Sequence, residues 1–340
     1  MKRIGLMGCG TVAGYGHLPA LRDCPDWELA AIFEPDAGRL AAAKKKFNVP
    51  NAFQEVEPFF ESGIDAIAIT SPAPCHIQNV RDAVRYGKHI LCEKPLAMNE
   101  AEAEEMIALT RDAGLMLFTG FTYRFGDEAL KVKDLVDQGV IGDILSLRLI
   151  YIWNCHGRYE IDENGNRIEQ RRREGRMLEG GPLVDCGVHQ IDLARWWLGS
   201  EIVRFQSAGA WVQDYEAPDH VYLHLDHENG AHTMVELSYT YCHTSKDPVH
   251  LYSYDLIGTD GVIRYDGADD FVSVRAIDQT LTIPVNKGKN FPALYQAFAR
   301  AVETGKRGNL ATATDGLIAT RIARTATDQA IAARVRPIAR

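Results

Sequence analysis

Short, almost unbroken apolar runs alternate with helical patterns through the first third of the chain, and this restricts the fold more than any other feature. Arg3–Met7, Glu28–Phe33, Ile64–Thr70, Lys88–Cys92 and Leu115–Gly120 read as strands. Thr11–Asp23, Asp36–Phe47, Cys75–Gly87 and Asn99–Gly114 read as the helices between them. Strands that are apolar at successive positions, not at alternate ones, are buried on both faces, as in a parallel sheet. The series therefore predicts an α/β fold that opens with a doubly wound parallel sheet, the first domain being residues 1–121.

The pattern changes over residues 122–340, the second predicted domain. A helix at Glu128–Gly139 leads into a strand at Asp143–Trp153, followed by a polar, Gly- and Arg-rich loop to about Gly181. One helix, Pro182–Gly199, precedes seven closely spaced strands between Ile202 and Val285. Gly and Asp turns between them predict a large, open, mostly antiparallel sheet. Two helices, from about Phe291 and about Thr314, end the chain, and there is no internal repeat.

With 340 residues, 46% of them hydrophobic, the chain has material for two cores. A formal net charge of −9 argues against nucleic acid and against an anionic membrane surface. No apolar run approaches the roughly 18 residues that a membrane span needs. The start MKRIGLMGCGTVAG lacks the apolar core of a signal peptide. Seven scattered cysteines without paired spacing fit reduced thiols, so a cytoplasmic protein acting on a small molecule is expected.

Gly8-Cys9-Gly10-Thr11-Val12-Ala13 has the form G-x-G-x-x-A between a strand and a helix. Glycines permit a tight turn and close approach of the backbone to a pyrophosphate at the helix N-terminus. Glu34 closes the next strand, where a carboxylate accepts hydrogen bonds from a ribose diol and repels a 2′-phosphate. Gly8, Gly10, Thr11, Val12 and Glu34 are therefore read as binding NAD, in preference to NADP. The loop TSPAPCH, with Ser71 and His76, ends the Ile64–Thr70 strand at the carboxyl edge where such sheets bind ligands. Turn formation by its two prolines, with His76 on a helix surface, is the alternative.

Glu93-Lys94-Pro95 follows the Lys88–Cys92 strand directly. Proline after lysine removes a backbone donor and restricts the lysine to extended geometry, which suits a strand end that holds a charged side chain in one direction. On the Pro182–Gly199 helix, Asp185, His189 and Asp192 stand at i, i+4 and i+7, beside an apolar stripe of Val184, Val188, Ile191 and Leu198. A histidine between carboxylates is held in one tautomer and kept basic enough to take a proton. A solvated helix face is the competing explanation of that spacing. Cys155, His156, His220, His224, His227 and His232 suggest a metal, but residues 220–226 alternate polar and apolar as one strand does, and no zinc-type spacing occurs, so none is expected.

Together these motifs resemble the Gfo/Idh/MocA oxidoreductases. The resemblance runs almost end to end and includes GCGTVA, TSPAPCH, CEKPLA, GFTYRFGDEALKVKDLVDQGVIGDI, GGPLVDCGVHQIDLARWWLG and DLIGTDGVIRYDG. It implies a Rossmann domain and an α/β domain whose open sheet makes oligomer contacts, here a homodimer or homotetramer. It also implies a catalytic lysine in the EKP segment and a catalytic Asp and His on the later helix, which fall on Lys94, Asp185 and His189, with a cis Lys94–Pro95 bond. Ser71, His76, Glu93 and Lys94 join the implied cofactor contacts. Lys94, Arg124, Asp185 and His189, with Trp153, Asn154 and His156 after the Asp143–Trp153 strand, are the expected substrate contacts; Tyr239, Tyr241 and His243 are weaker ones.

Two features depart from the family pattern. Thr122 stands where many relatives carry Asn. The loop containing Arg171, Arg172, Arg173 and Arg176 looks longer and more charged than usual, and is open to three readings: a clamp for an acidic substrate, a subunit contact, or solvated charge. The expected activity is NAD-dependent oxidation of a secondary alcohol of a sugar, polyol or cyclitol, or reduction of the ketone. An NAD-dependent glycosidase working through transient oxidation and a non-catalytic NAD sensor are the alternatives.

Overall fold

The computed structural model describes residues 2–153, 159–161, 166–169, 171–239 and 250–335. They form two compact units, residues 1–126 with 288–320 and residues 127–287 with 321–340. The expected boundary after residue 121 thus moves to 126, and the last third of the chain does not belong wholly to the second domain.

In the first unit, strands β1 (Lys2–Met7), β2 (Trp27–Phe33), β3 (Asn51–Phe53), β4 (Ala66–Ile69), β5 (His89–Cys92) and β6 (Leu117–Thr119) pair in parallel in the order β3-β2-β1-β4-β5-β6. A two-residue strand, Ala311–Thr312, adds antiparallel to β6. Ile4 and Leu6 are buried on one sheet face and Met7, Ile67, Ile69 and Ile90 on the other, as continuous apolar strands require. The short β3 was not anticipated, because NAF is too brief to show a period.

The helix Phe291–Thr304 explains the altered boundary. Its Phe291, Leu294, Tyr295 and Phe298 are buried among Leu18, Leu21, Trp27 and Ile32 of the first unit. The Trp27 indole N–H donates to Tyr295 O at 3.0 Å. Each such side chain contributes about 1.5–3 kcal/mol on burial. Gly16 permits the approach, since a Cβ there would lie 2.5 Å from the Phe291 ring.

In the second unit an eight-stranded sheet takes the order β10-β11-β12-β7-β13-β14-β15-β16. Its members are β7 (Ile144–Ile152), β10 (Ile202–Ala210), β11 (His220–His227), β12 (His232–Ser238), β13 (Leu251–Gly258), β14 (Gly261–Asp266), β15 (Phe271–Ala276) and β16 (Thr280–Pro284). All neighbours are antiparallel except β12 and β7. A separate hairpin joins β8 (Tyr159–Ile161) and β9 (Arg167–Glu169). The stretch read as loop to Gly181 therefore contains two strands and a helix, Arg171–Leu178. In β11, Val221, Leu223 and Leu225 are buried while Tyr222 and His224 face outward, the period of two expected of a half-covered strand. Helices Asp127–Asp137 and Val188–Leu198 meet where the Trp197 indole N–H donates to Ala129 O at 3.1 Å, and Trp197 packs edge-on against Tyr254 of β13.

Glu128 is buried in this unit and its Oε2 has no hydrogen-bond partner. Burial, and secondarily the neighbouring Asp127 charge, raise its pKa to about 7 from an ordinary 4.5. Between those two values the unfolded chain has released a proton that the folded protein retains, so this group's contribution to stability falls as pH rises from 4.5 to about 7 and levels off above it. Glu128→Gln is expected to match the wild type at pH 4 and to be more stable by about 1–3 kcal/mol at pH 8, measured by urea unfolding.

Candidate active site

At the carboxyl end of β1 the chain turns at Gly8, whose φ is +100°. A Cβ there would lie 2.6 Å from Ser71 N, so only glycine lets the β1 turn reach the loop after β4. Gly8 N–H donates to Phe33 O at 2.8 Å, and Thr70 Oγ1 donates to Gly8 O at 2.6 Å. β1 and β4 are the neighbours at which the strand order reverses, the place where open α/β sheets bind ligands. Gly10 and Thr11 are exposed, Val12 is half-buried, and a Cβ at Gly10 would meet nothing within 4 Å. Glu34 folds back onto the turn. Its Oε2 accepts Cys9 N–H at 2.9 Å, and its Oε1 accepts from Asp36 N–H at 3.1 Å and Arg39 Nη2 at 3.0 Å. Burial and then the Glu34 charge push the Cys9 thiol up to about 12, so it stays a thiol. An open glycine edge, a helix beginning at Thr11 and a carboxylate anchored beside it suit a dinucleotide with a free ribose diol.

The loop after β4 is tied to the EKP segment by His76. This side chain is buried, with Nε2 3.0 Å from Ser71 O and Nδ1 3.1 Å from both Pro95 O and Leu96 O. Burial lowers its pKa, so the ring is neutral and one nitrogen donates at a time. The expected cofactor contact at His76 is thus a brace between two main-chain segments, not a side chain facing outward. Ser71, half-buried, donates its hydroxyl to Asn79 Oδ1 at 2.6 Å. The Lys94–Pro95 bond is cis. Glu93 is buried, with Oε1 2.9 Å from His17 Nε2 and Oε2 accepting Lys94 N–H at 3.2 Å, while Lys94 itself is half-buried. Arg124, expected at the substrate, is 3% exposed and paired with Asp315 at 3.4 Å. Thr122 is buried in the same short turn.

In the second unit Pro182 stands at the start of a helix in which one turn, Leu183–Gly187, is π-helical before α-helix resumes at Val188. Single π turns of this kind recur at functional sites. The polar stripe is not solvated. His189 and Asp192 are 2% and 1% exposed, and Asp185 is half-buried. Asp185 Oδ2 accepts from Tyr239 OH at 2.5 Å and pairs with Arg176 Nη1 at 3.0 Å. Arg176 also lies over the Trp153 ring at 5.6 Å, and Trp153 meets Tyr239 edge-on. Arg176 is thus neither simple solvated charge nor free to clamp a ligand alone. Tyr239, read as a weak substrate contact, is fully buried against Asp185. Asn154, His156, Tyr241 and His243 lie outside the described residues, as do the side chains of Arg171, Arg172 and Arg173.

Residues 2–121 match the family model described as the oxidoreductase family, NAD-binding Rossmann fold, of the GFO/IDH/MocA proteins, and residues 129–264 match the GFO/IDH/MocA C-terminal domain. The chain belongs to this family. Its first unit is an NAD-binding Rossmann domain. Among curated relatives it is 31% identical to the myo-inositol 2-dehydrogenase of Thermotoga maritima, over 63% of this chain and 60% of that protein's length. It is 24% identical to the D-glucoside 3-dehydrogenase of Escherichia coli, over 70% of each. An Agrobacterium radiobacter oxidoreductase solved with NAD+, L-tartaric acid and magnesium shares the fold, with a TM-score of 0.83, 20% identity and coverage of 98% of this chain and 97% of that one.

Spacing alone did not show that His17, Tyr239 and Arg176 support family-motif residues. The available signal was a buried-type position in a helix (His17) or at a strand end (Tyr239), without any indication of the partner. Among the described residues no three His, Cys, Asp or Glu side chains could hold a metal ion, and no helix is long and apolar enough to cross a membrane. His224 and His232 instead meet each other at 3.1 Å, and His232 Nδ1 meets Asp226 at 2.7 Å. Gly8→Ala is expected to weaken NAD binding at least about tenfold, because the turn must shift by more than the 2.6 Å approach allows. Titration of protein fluorescence with NAD checks this.

Proposed function

We propose that the protein is an NAD-dependent dehydrogenase that oxidises a secondary alcohol of a sugar, polyol or cyclitol, or reduces the matching ketone. The observation that carries this reading is the burial of His189 and Asp192 on the Pro182–Gly199 helix. Burying such groups is costly, and a purely structural helix would have placed apolar residues there. The inositol and glucoside dehydrogenases to which the chain is similar support it further. They lend nothing to the glycosidase alternative.

Bound NAD supplies a hydride acceptor. His189 takes the proton of the reacting hydroxyl on its imidazole, and Lys94 stabilises the negative charge that develops on that oxygen. Asp185, fixed by Tyr239 and Arg176, orients the imidazole or holds a neighbouring hydroxyl. Trp153, beside Arg176 and Tyr239, is the side chain of this cluster suited to packing on a sugar ring. The reading extends to a cytoplasmic protein, in keeping with Cys9, Cys24, Cys75, Cys92 and Cys186 standing as thiols and not in disulfides. It extends also to a homodimer or homotetramer through the outward sheet face, where Tyr222, Ile257 and Val262 are exposed.

Incubation with NAD and a panel of sugars, inositols and sugar acids, followed by NADH absorbance, tests the activity. At least one neutral polyol should produce NADH, and His189→Ala should lower its kcat by about 10²–10⁴-fold with NAD affinity nearly unchanged. If no member of the panel yields NADH, or if His189→Ala is as fast as wild type, the assignment is wrong.

Cofactor choice depends on Glu34 in this reading. Its carboxylate repels a 2′-phosphate and also occupies the Arg39 guanidinium at 3.0 Å. Glu34→Ala should remove the repulsion and release Arg39, narrowing the preference for NAD over NADP by about tenfold or more. Comparison of kcat/KM with the two cofactors measures it, and a wild type that uses both equally well would refute the role.

A further inference from the structure

His17 has no part in the mechanism above, yet it is 1% exposed with both ring nitrogens engaged. Nδ1 lies 2.7 Å from Tyr295 OH and Nε2 lies 2.9 Å from Glu93 Oε1. Phe291 packs edge-on against the ring at 4.8 Å and fixes its plane. Glu93 passes the contact on, because its other oxygen accepts the Lys94 N–H. Gly120 leaves room for the carboxylate, since a Cβ there would lie 3.1 Å from Oε1. Tyr295, His17, Glu93 and the main chain of Lys94 thus form one continuous chain of contacts inside the first unit.

We infer that His17 is a positioning residue for Lys94: by holding Glu93 through Nε2, it fixes a buried negative charge next to the lysine. A buried carboxylate without donors either protonates or moves. The His17 hydrogen bond and charge, helped by Lys94 and Lys289, overcome desolvation and keep the Glu93 pKa below the ordinary carboxylate range. An ionised Glu93 accepts only, so Nε2 is the donor to it. The Tyr295 phenol is held protonated, pushed far up by burial and by Glu93, and donates to Nδ1 when the ring is neutral. His76 and Cys92 also feel the Glu93 charge, and burial keeps the Cys92 thiol protonated. By reciprocity the Glu93 charge favours the ammonium form of Lys94, which is what a stabiliser of developing alkoxide requires. The inference rests on that role for Lys94 only in its catalytic consequence.

The test is the pH dependence of Lys94 reductive methylation by formaldehyde and borane, followed by peptide mass spectrometry on the full chain without substrate. Neutral lysine reacts and ammonium does not, so the midpoint reports the ionisation of Lys94. His17→Leu should move the midpoint to lower pH by about one unit, and His17→Gln, whose amide N–H can reach Glu93, should restore it. Glu93→Gln should give a similar shift, and the double variant His17→Leu/Glu93→Gln no more than Glu93→Gln alone. Tyr295→Phe, which keeps the ring, should give a smaller shift in the same direction and serves if His17→Leu does not fold. An unmoved midpoint in these variants, or shifts that add in the double variant, overturns the inference. Turnover unaffected by Lys94→Ala would instead sink the dehydrogenase site proposed above and leave the coupling standing.

Discussion

The first unit depends on the contact between two backbones at the seam of β1 and β4. Parallel strands place their carboxyl ends side by side, and the order reverses at this seam, so the two loops leave in opposite directions. Gly8 and Ser71 then approach more closely than any side-chain-bearing residue at position 8 permits. The same turn directs Cys9 N–H at Glu34 and starts the helix that carries His17. One missing Cβ thereby aligns the nucleotide edge, the acid of β2 and the buried histidine behind the EKP segment.

Polar burial is the common theme of both units. In the first, Glu93 is satisfied by His17 and the Lys94 N–H; in the second, Asp185 is satisfied by Tyr239 and Arg176. Each carboxylate has a side-chain donor more than 50 residues away in sequence. Such groups are costly to desolvate and lose more when a single partner is removed than the pair contributes. Glu128 shows the opposite solution, in which burial without a cation leaves the acid protonated near neutrality.

Much of this was legible in the order of residues because the signals are local. The five parallel strands set in continuous apolar runs, the glycine turn, the helix behind Pro182 and the alternation in β11 each follow from residues within a few positions of one another. What could not be read depends on distant partners or on brevity. NAF at β3 is three residues long, and RRREGRML lacks an apolar stripe, so its helix looked like loop. The pairing of Arg124 with Asp315 could not be read, because nothing near Arg124 reveals a partner 191 positions away. The bracing role of His76 could not be read because its acceptors, Pro95 O and Leu96 O, belong to another βα unit.

The return of residues 288–320 to the first unit has a consequence for synthesis. When the ribosome has released β6, the nascent Rossmann sheet still lacks the helix that covers Leu18, Trp27 and Ile32. That helix emerges only after the whole eight-stranded sheet has been made. For this interval the early segment carries an uncovered apolar face, and its final closure joins residues far apart in the chain, the slow kind of contact. An excised N-terminal fragment would remain in that condition permanently. The nucleotide-binding unit is continuous in space but not in sequence, and it reaches its full core only after the sheet of the second unit has been translated.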